Sequence, residues 1–147
     1  RAPDLRVLVA IAAAFGLGHA MQSTGLASAV AQGILALGPN DPLFALVLVY
    51  VATAVLTELV TNNAAAVLSI PPALALADEV GAQPMPFVIV VMMAASASFL
   101  TPIGYQTNLM VLGPGGYRPS DYPRLGLPLA VACGVTTLWV VPRVWGL

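Results

Sequence analysis

The sequence predicts an all-α polytopic membrane protein, and three observations carry that prediction. Apolar residues make up 59% of the 147-residue chain and charged residues only 7%, against about 25% charged residues in soluble domains. Mean hydropathy is +0.93. The charges are also confined in position, because residues 7–40, 42–57, 59–77, 80–117 and 125–142 contain no Asp, Glu, Lys or Arg. Spanning the hydrocarbon core takes about 20 mostly apolar residues per helix, and several of these windows are that long. A transmembrane β-barrel would need segments of about ten residues alternating apolar and polar, whereas these runs are continuous and rich in Ala and Leu. A net charge of −1 gives no reason to expect a nucleic-acid partner, and a single cysteine, Cys133, excludes an internal disulfide. The chain opens at Arg1 without a methionine, and its first apolar run has no signal-peptide cleavage context ahead of a soluble domain. It is expected to be a piece of a longer protein.

Six apolar segments follow in order. Leu5–Met21 reads as the first membrane helix, with Arg1 and Arg6 at its start. Gly25–Leu37 is rich in small residues and, at about 20 Å of helix, too short to cross; it ends in a turn, "GPNDP" (Gly38–Pro42). Two apolar arms, Leu43–Val60 and Ala64–Ala77, are separated only by Thr61, Asn62 and Asn63, and "DEVGAQPMP" (Asp78–Pro86) closes the pair. Phe87–Leu112 is a long segment broken near its middle by "TPIGYQTN" (Thr101–Asn108). A polar connection, Gly113–Arg124, leads to the last helix, Leu125–Leu147. By the positive-inside rule Arg1, Arg6, Arg118 and Arg124 belong on the cytoplasmic side and Asp41, Asp78 and Glu79 opposite, with Arg143 the exception.

The link between the two arms is the unusual feature. The second arm, read as 14 residues or about 21 Å of helix, falls short of a hydrocarbon core about 30 Å thick. A three-residue link without Gly, Pro or charge is also a poor water-facing loop. The arms therefore read as a re-entrant hairpin, which is tolerated at membrane depth only where it is buried in protein or lines a cavity. Thr and Asn are natural N-cap residues, and the N–H groups and positive dipole end opening the second arm attract an anion. Carbonyls ending the first arm, around Thr57 and Val60, suit a small cation. Broken helices in transporters build midplane sites in this way.

The second interruption has the same character. Pro102 removes a helix hydrogen bond and Gly104 permits unusual backbone angles, while Thr107 and Asn108 are expected to cap the resumed helix. Neutral amide and hydroxyl donors suit a doubly charged anion that must be released again.

The pattern "TELVTNN" followed by Ala-rich sequence and a Pro resembles the divalent anion:sodium symporters, which include sulfate, phosphate and di/tricarboxylate transporters. "SASFLTPIGYQTNLMVLGPGGYRPSDY" is similar to the sulfate-permease-like branch in particular. The resemblance covers essentially the whole chain as the C-terminal half, the second inverted repeat of an elevator-type transporter. It implies scaffold-type helices over residues 1–41, a re-entrant helical hairpin over 42–79, and a broken transmembrane helix plus the last transmembrane helix over 80–147. It implies that Thr61, Asn62 and Asn63 form the anion-contacting tip, joined by Tyr105, Thr107 and Asn108. It also implies a sodium (Na+) site from the carbonyls of Thr57 and Val60, the Asn62 side chain and the Gly104 carbonyl. Dicarboxylate members carry Thr-Pro-Pro-Asn after the second break, where this chain has Tyr105-Gln106-Thr107-Asn108. That departure leaves open which of Tyr105 and Thr107 touches substrate. Implied partners are a dianion, inorganic or carboxylate, the lipid bilayer, a missing N-terminal repeat and a second copy in a homodimer.

The reading that follows is sodium-coupled symport of a divalent oxyanion, sulfate foremost, in a multi-pass plasma membrane protein, a bacterial inner membrane being the expected setting. The alternatives are a di/tricarboxylate or phosphate symporter, or an arsenite-type permease of the same broader fold. Glu58 reads either as a proton-relay carboxylate or as a structural acceptor pinning the hairpin tip. Ala94–Ser98 and Ala64–Ala66 read as close-packing helix faces, and His19 as interfacial. An enzyme is not expected: there is no HExxH and no membrane-embedded Asp, and the only His lies far along the chain from Ser69 and Ser96.

Overall fold

The computed structural model describes residues 5–36, 38 and 41–147. Arg1 and its place in the topology, Leu37 at the end of the short segment, and Pro39 and Asn40 of the expected turn lie outside the described residues. Seven helices follow one another: α1 (Leu5–Ser23), α2 (Leu26–Leu35), α3 (Pro42–Leu59), α4 (Asn62–Glu79), α5 (Pro84–Ala95), α6 (Gln106–Leu112) and α7 (Asp121–Trp145). No strand occurs among the described residues.

Local chemistry explains the helix starts. Asp41 caps α3, its carboxylate accepting from the Phe44 N–H at 3.0 Å, with Pro42 in the first turn, where its missing N–H costs nothing. Thr61 caps α4, its hydroxyl accepting from the Ala64 N–H at 3.4 Å. Pro84 opens α5 in the same way as Pro42. At the far end of α7 the Arg143 guanidinium donates to the Trp139 carbonyl at 2.6 Å and lies 4.3 Å from the centre of that indole. A cation there complements the negative end of the helix dipole. Gly146 then takes a left-handed φ of 68° to end the helix.

The core forms where α5 packs against both α3 and α4 and is backed by α7. Leu46 and Val49 of α3, Ala73, Leu76 and Ala77 of α4, and Phe87, Val90, Val91 and Ala94 of α5 are fully or almost fully buried together. On α4, Pro71 and Pro72 sit inside the helix and are buried. Apolar side chains are equally prominent on the outside. Val47, Val51, Val55 and Leu59 make an exposed i+4 row on α3, and Leu127, Val131 and Val135 do the same on α7. A helix apolar on every face belongs in a large core or a bilayer. α3 and α7 are each long and apolar enough to cross one.

Three expectations are corrected. The second arm runs for 18 residues, not 14, about 27 Å at 1.5 Å per residue, because Asn62 and Asn63 join its first turn and Asp78 and Glu79 its last. Its shortness is therefore no argument for a re-entrant hairpin. The break in the long segment begins at Ser96, five residues before Thr101, and lasts through Tyr105. Ala97 and Ser98 accordingly lie in non-helical chain and not on a helix face. The last helix begins at Asp121, whose carboxylate accepts from the Arg118 N–H at 2.8 Å and fixes the preceding turn.

Candidate functional site

α3 ends at Leu59, and only Val60 and Thr61 separate it from α4, so the two arms form a helical hairpin. Val60 is extended, with φ −129° and ψ 176°. The end of α3 is met by the non-helical chain between α5 and α6, and the join is polar, buried and well paired.

Thr57 is fully buried, and its hydroxyl donates to the Ala95 carbonyl, the last of α5, at 2.6 Å. Asn62 Oδ1 lies 3.1 Å from the same hydroxyl oxygen. A hydroxyl has one proton, and the shorter bond to Ala95 takes it. The two ends of an amide are assigned by their partners, so the pair is satisfied with Asn62 Nδ2 donating to Thr57 Oγ1. On the backbone side of Thr57, the carbonyl oxygen accepts from the Ser98 hydroxyl at 3.4 Å.

Glu58 resolves the two readings open in the sequence. It is buried, and its two carboxylate oxygens accept from the backbone N–H groups of Leu100 (2.9 Å) and Thr101 (2.8 Å). Those amides have no helix to bond within, and the carboxylate stands in for the missing acceptors. Thr101 returns the contact, its hydroxyl donating to the Glu58 carbonyl at 3.1 Å and accepting from the Gly104 N–H at 3.2 Å. The geometry is that of a structural acceptor.

Gly104 explains why that position has no side chain. A Cβ there would collide with the Ser98 hydroxyl and the Thr57 carbonyl oxygen, and would lie 3.2 Å from Glu58 Cα. The structure thus brings Thr57 and Gly104 into direct backbone apposition, with Asn62 on the other side of Thr57 and half-buried Val60 just beyond the helix end.

The remaining sequence-selected residues lie around this join. Asn108 donates both amide hydrogens, to the Ser98 and Thr101 carbonyls at 3.2 Å each, and its own carbonyl accepts from the Tyr122 hydroxyl at 2.8 Å. Asn108 and Asn62 are therefore linked through Ser98 and Thr57, but the donors of Asn108 are committed to its own chain. The expected cap of the resumed helix is corrected: Tyr105 occupies the cap position of α6 with no side-chain cap, and neither Thr107 nor Asn108 caps it. Thr61, Asn63, Tyr105 and Thr107 are exposed, and Asn62 and Asn108 partly so.

Thr101 and Tyr122 have no role in the sequence reading and Ser98 only a packing one, although all three fall within the quoted "SASFLTPIGYQTNLMVLGPGGYRPSDY". A hydroxyl next to an interruption, as at Thr101 before Pro102, was the available signal. Among the described residues no group of three His, Cys, Asp or Glu side chains gathers. Besides the Glu58 carboxylate, whose oxygens are taken by amides, the oxygens that meet at this join are carbonyls, an amide and hydroxyls, hard ligands of the kind alkali and alkaline-earth cations take. The N-terminus of α4 beside them presents the free N–H groups and positive dipole end that favour an anion.

A family model described as Citrate transporter matches residues 2–147. An uncharacterized transporter of Synechocystis is 43% identical over 95% of this chain and 23% of its own length. Sodium/sulfate cotransporter 2 of Chlamydomonas reinhardtii is 39% identical over 85% of this chain and 14% of its own. Mouse solute carrier family 13 member 2 is 24% identical over 96% of this chain and 24% of its own. The chain thus spans a quarter or less of the length of these curated relatives. No solved structure matches it significantly. The relatives are membrane transporters and not enzymes, and the chain belongs to the family that this model describes, Citrate transporter.

Proposed function

We propose that this chain belongs to the C-terminal membrane half of a sodium-coupled symporter that carries a divalent oxyanion, sulfate foremost. The observation that supports this reading best is the apposition of Thr57 and Gly104 beside the start of α4. One interruption ends in oxygens and the next helix opens in N–H groups, so a cation and an anion can be held as neighbours and each stabilises the other. The Thr57 carbonyl, the Gly104 carbonyl, the Val60 carbonyl and Asn62 Oδ1 are the sodium ligands. Thr61, Asn63 and the first N–H groups of α4 face the anion, with Tyr105 and Thr107 completing the contact. Asn108 reaches the anion only by releasing one of its two carbonyl partners.

Sodium enters as co-transported ion. Importing a charge of −2 against an inside-negative 100 mV costs about 4.6 kcal/mol, at about 2.3 kcal/mol per charge. Two cations cancel that cost and a third makes the voltage a driving force. One cation site lies in this half, and an inverted N-terminal repeat supplies another. The hairpin of α3 and α4 is re-entrant in this reading, and it moves with α5–α6 as a unit against a scaffold in a plasma membrane homodimer. Sulfate is favoured by relatives named sodium/sulfate cotransporters, at 39% and 40% identity. The family description, Citrate transporter, favours di- or tricarboxylates as the second reading.

The test is uptake into proteoliposomes containing the full-length protein, with an imposed sodium gradient and labelled sulfate, succinate, citrate and phosphate in parallel. Sulfate uptake driven by sodium and outcompeted by none of the others is expected. Uptake indifferent to sodium overturns the coupling, and preference for a carboxylate overturns the substrate.

A further inference from the structure

We propose that Glu58 is a positioning residue for sodium: it sets the spacing between the Thr57 and Gly104 carbonyls without touching either ion. The inference rests on the sodium-coupled reading above. Four hydrogen bonds make a closed circuit between the end of α3 and the chain that interrupts α5 and α6. The Glu58 carboxylate holds the Leu100 and Thr101 amides at 2.9 and 2.8 Å. The Thr101 hydroxyl holds the Glu58 carbonyl at 3.1 Å and the Gly104 amide at 3.2 Å. Gly104 is thereby pressed against the Thr57 carbonyl, which leaves no room there for a Cβ.

The choice of a carboxylate has a physical reason. Two adjacent N–H groups in a break need two acceptors on one short side chain, and charge-assisted bonds are roughly twice as strong as neutral ones. A glutamine offers one oxygen and turns its NH2 toward the second amide, so one bond is lost and donor faces donor. An ionisable group inside a membrane segment is costly to keep, and packing alone does not call for one here. A joint that must hold two backbone oxygens at cation-coordinating distance does. Both carboxylate oxygens are already engaged by amides, so Glu58 acts on sodium through Thr101 and Gly104.

Two measurements on the full-length protein in lipid nanodiscs and proteoliposomes test this. Hydrogen exchange reads the clamp directly, with no sodium or anion present: the Leu100 and Thr101 amides should exchange faster in Glu58→Gln than in the wild type. Uptake reads the consequence. The sodium concentration for half-maximal uptake should rise about tenfold in Glu58→Gln, which loses one bond to a charged group, and in Thr101→Val, which loses the two neutral bonds of the hydroxyl. Thr101→Ser, which keeps the hydroxyl, should restore it. At saturating sodium the KM for the anion in Glu58→Gln should stay within about twofold of the wild type, since the anion's donors lie on α4. Faster exchange with an unchanged sodium requirement overturns the inference and leaves the transport reading intact. Absence of uptake at every sodium concentration in a well-inserted Glu58→Gln protein also overturns it, in favour of a direct role for the charge. A wild-type protein that ignores sodium overturns the transport reading itself. Should Glu58→Gln fail to insert, the Thr101→Val and Thr101→Ser pair decides by the same sodium titration.

Discussion

Gly104→Ala replaces a hydrogen with a methyl group at the most crowded point of the join. Gly104 is not among the glycines with positive φ, so alanine meets no backbone strain there and the effect is one of contact alone. Of the atoms the new methyl would meet, the Thr57 carbonyl oxygen and Glu58 Cα are backbone at the end of α3, and only the Ser98 hydroxyl can rotate away. It does so by giving up its bond to the Thr57 carbonyl. Overpacking of this kind costs about 1–3 kcal/mol, and the immobile neighbours place Gly104→Ala at about the upper figure. If the chain relieves the clash by moving Gly104 outward, a loss of about 3 kcal/mol at the cation site corresponds to about a hundredfold in affinity, at 1.4 kcal/mol per tenfold. The assay is a sodium titration of labelled anion uptake by reconstituted full-length protein, normalised to inserted protein. Adding Ser98→Ala removes one of the clashes, so the double variant should recover part of the loss. A Gly104→Ala protein whose sodium half-saturation stays within about twofold of wild type would show that the Thr57–Gly104 apposition has no part in holding the ion.

Further expectations are independent of that one. Asn62→Ala should abolish sodium-dependent uptake while membrane insertion, followed by protease protection, remains normal. Thr57→Val keeps the shape of the side chain but leaves the Ala95 carbonyl without its donor; a buried unsatisfied acceptor costs about 1–3 kcal/mol, so its melting temperature should fall while that of Thr57→Ser stays close to wild type. In Gly126→Ala the new methyl would run into the Phe99 carbonyl, and α7 should be pushed from the break, lowering thermal stability by about 1–3 kcal/mol in a melt of the purified protein.

The sequence was legible where the signal was local. Runs free of charge located the helices, and Thr61 with two following asparagines marked the hairpin tip, because capping and turn chemistry are decided within a few residues. What lay further apart was hidden. The break was placed at Thr101–Asn108 because Pro102 and Gly104 are visible helix breakers. The chain in fact leaves the helix at Ser96, since its polar groups are satisfied by Thr57 and Glu58, some 40 residues earlier. The ambiguity of Glu58 had the same origin: only the placement of the Leu100 and Thr101 amides decides what a carboxylate does. Asn108 looked like a free donor in the sequence, and it is tied by two carbonyls of its own chain. The second arm was read short because its polar first turn and acidic last turn were assigned to loops, although both fit a helix that begins with a Thr cap.

The seam at Thr57 and Gly104 is drawn largely in main chain. Carbonyl oxygens persist through nearly every replacement of the residue that carries them, so an alanine scan along α3 would pass over Thr57 O in silence. Such a seam tolerates drift in neighbouring side chains, among them the exposed Tyr105 and Thr107, which can change without disturbing how the joint closes. It is vulnerable instead to altered chain length. One residue inserted or deleted between Ser96 and Tyr105 would shift the register of every partner at once, and related proteins should vary in composition along that stretch far more readily than in its length.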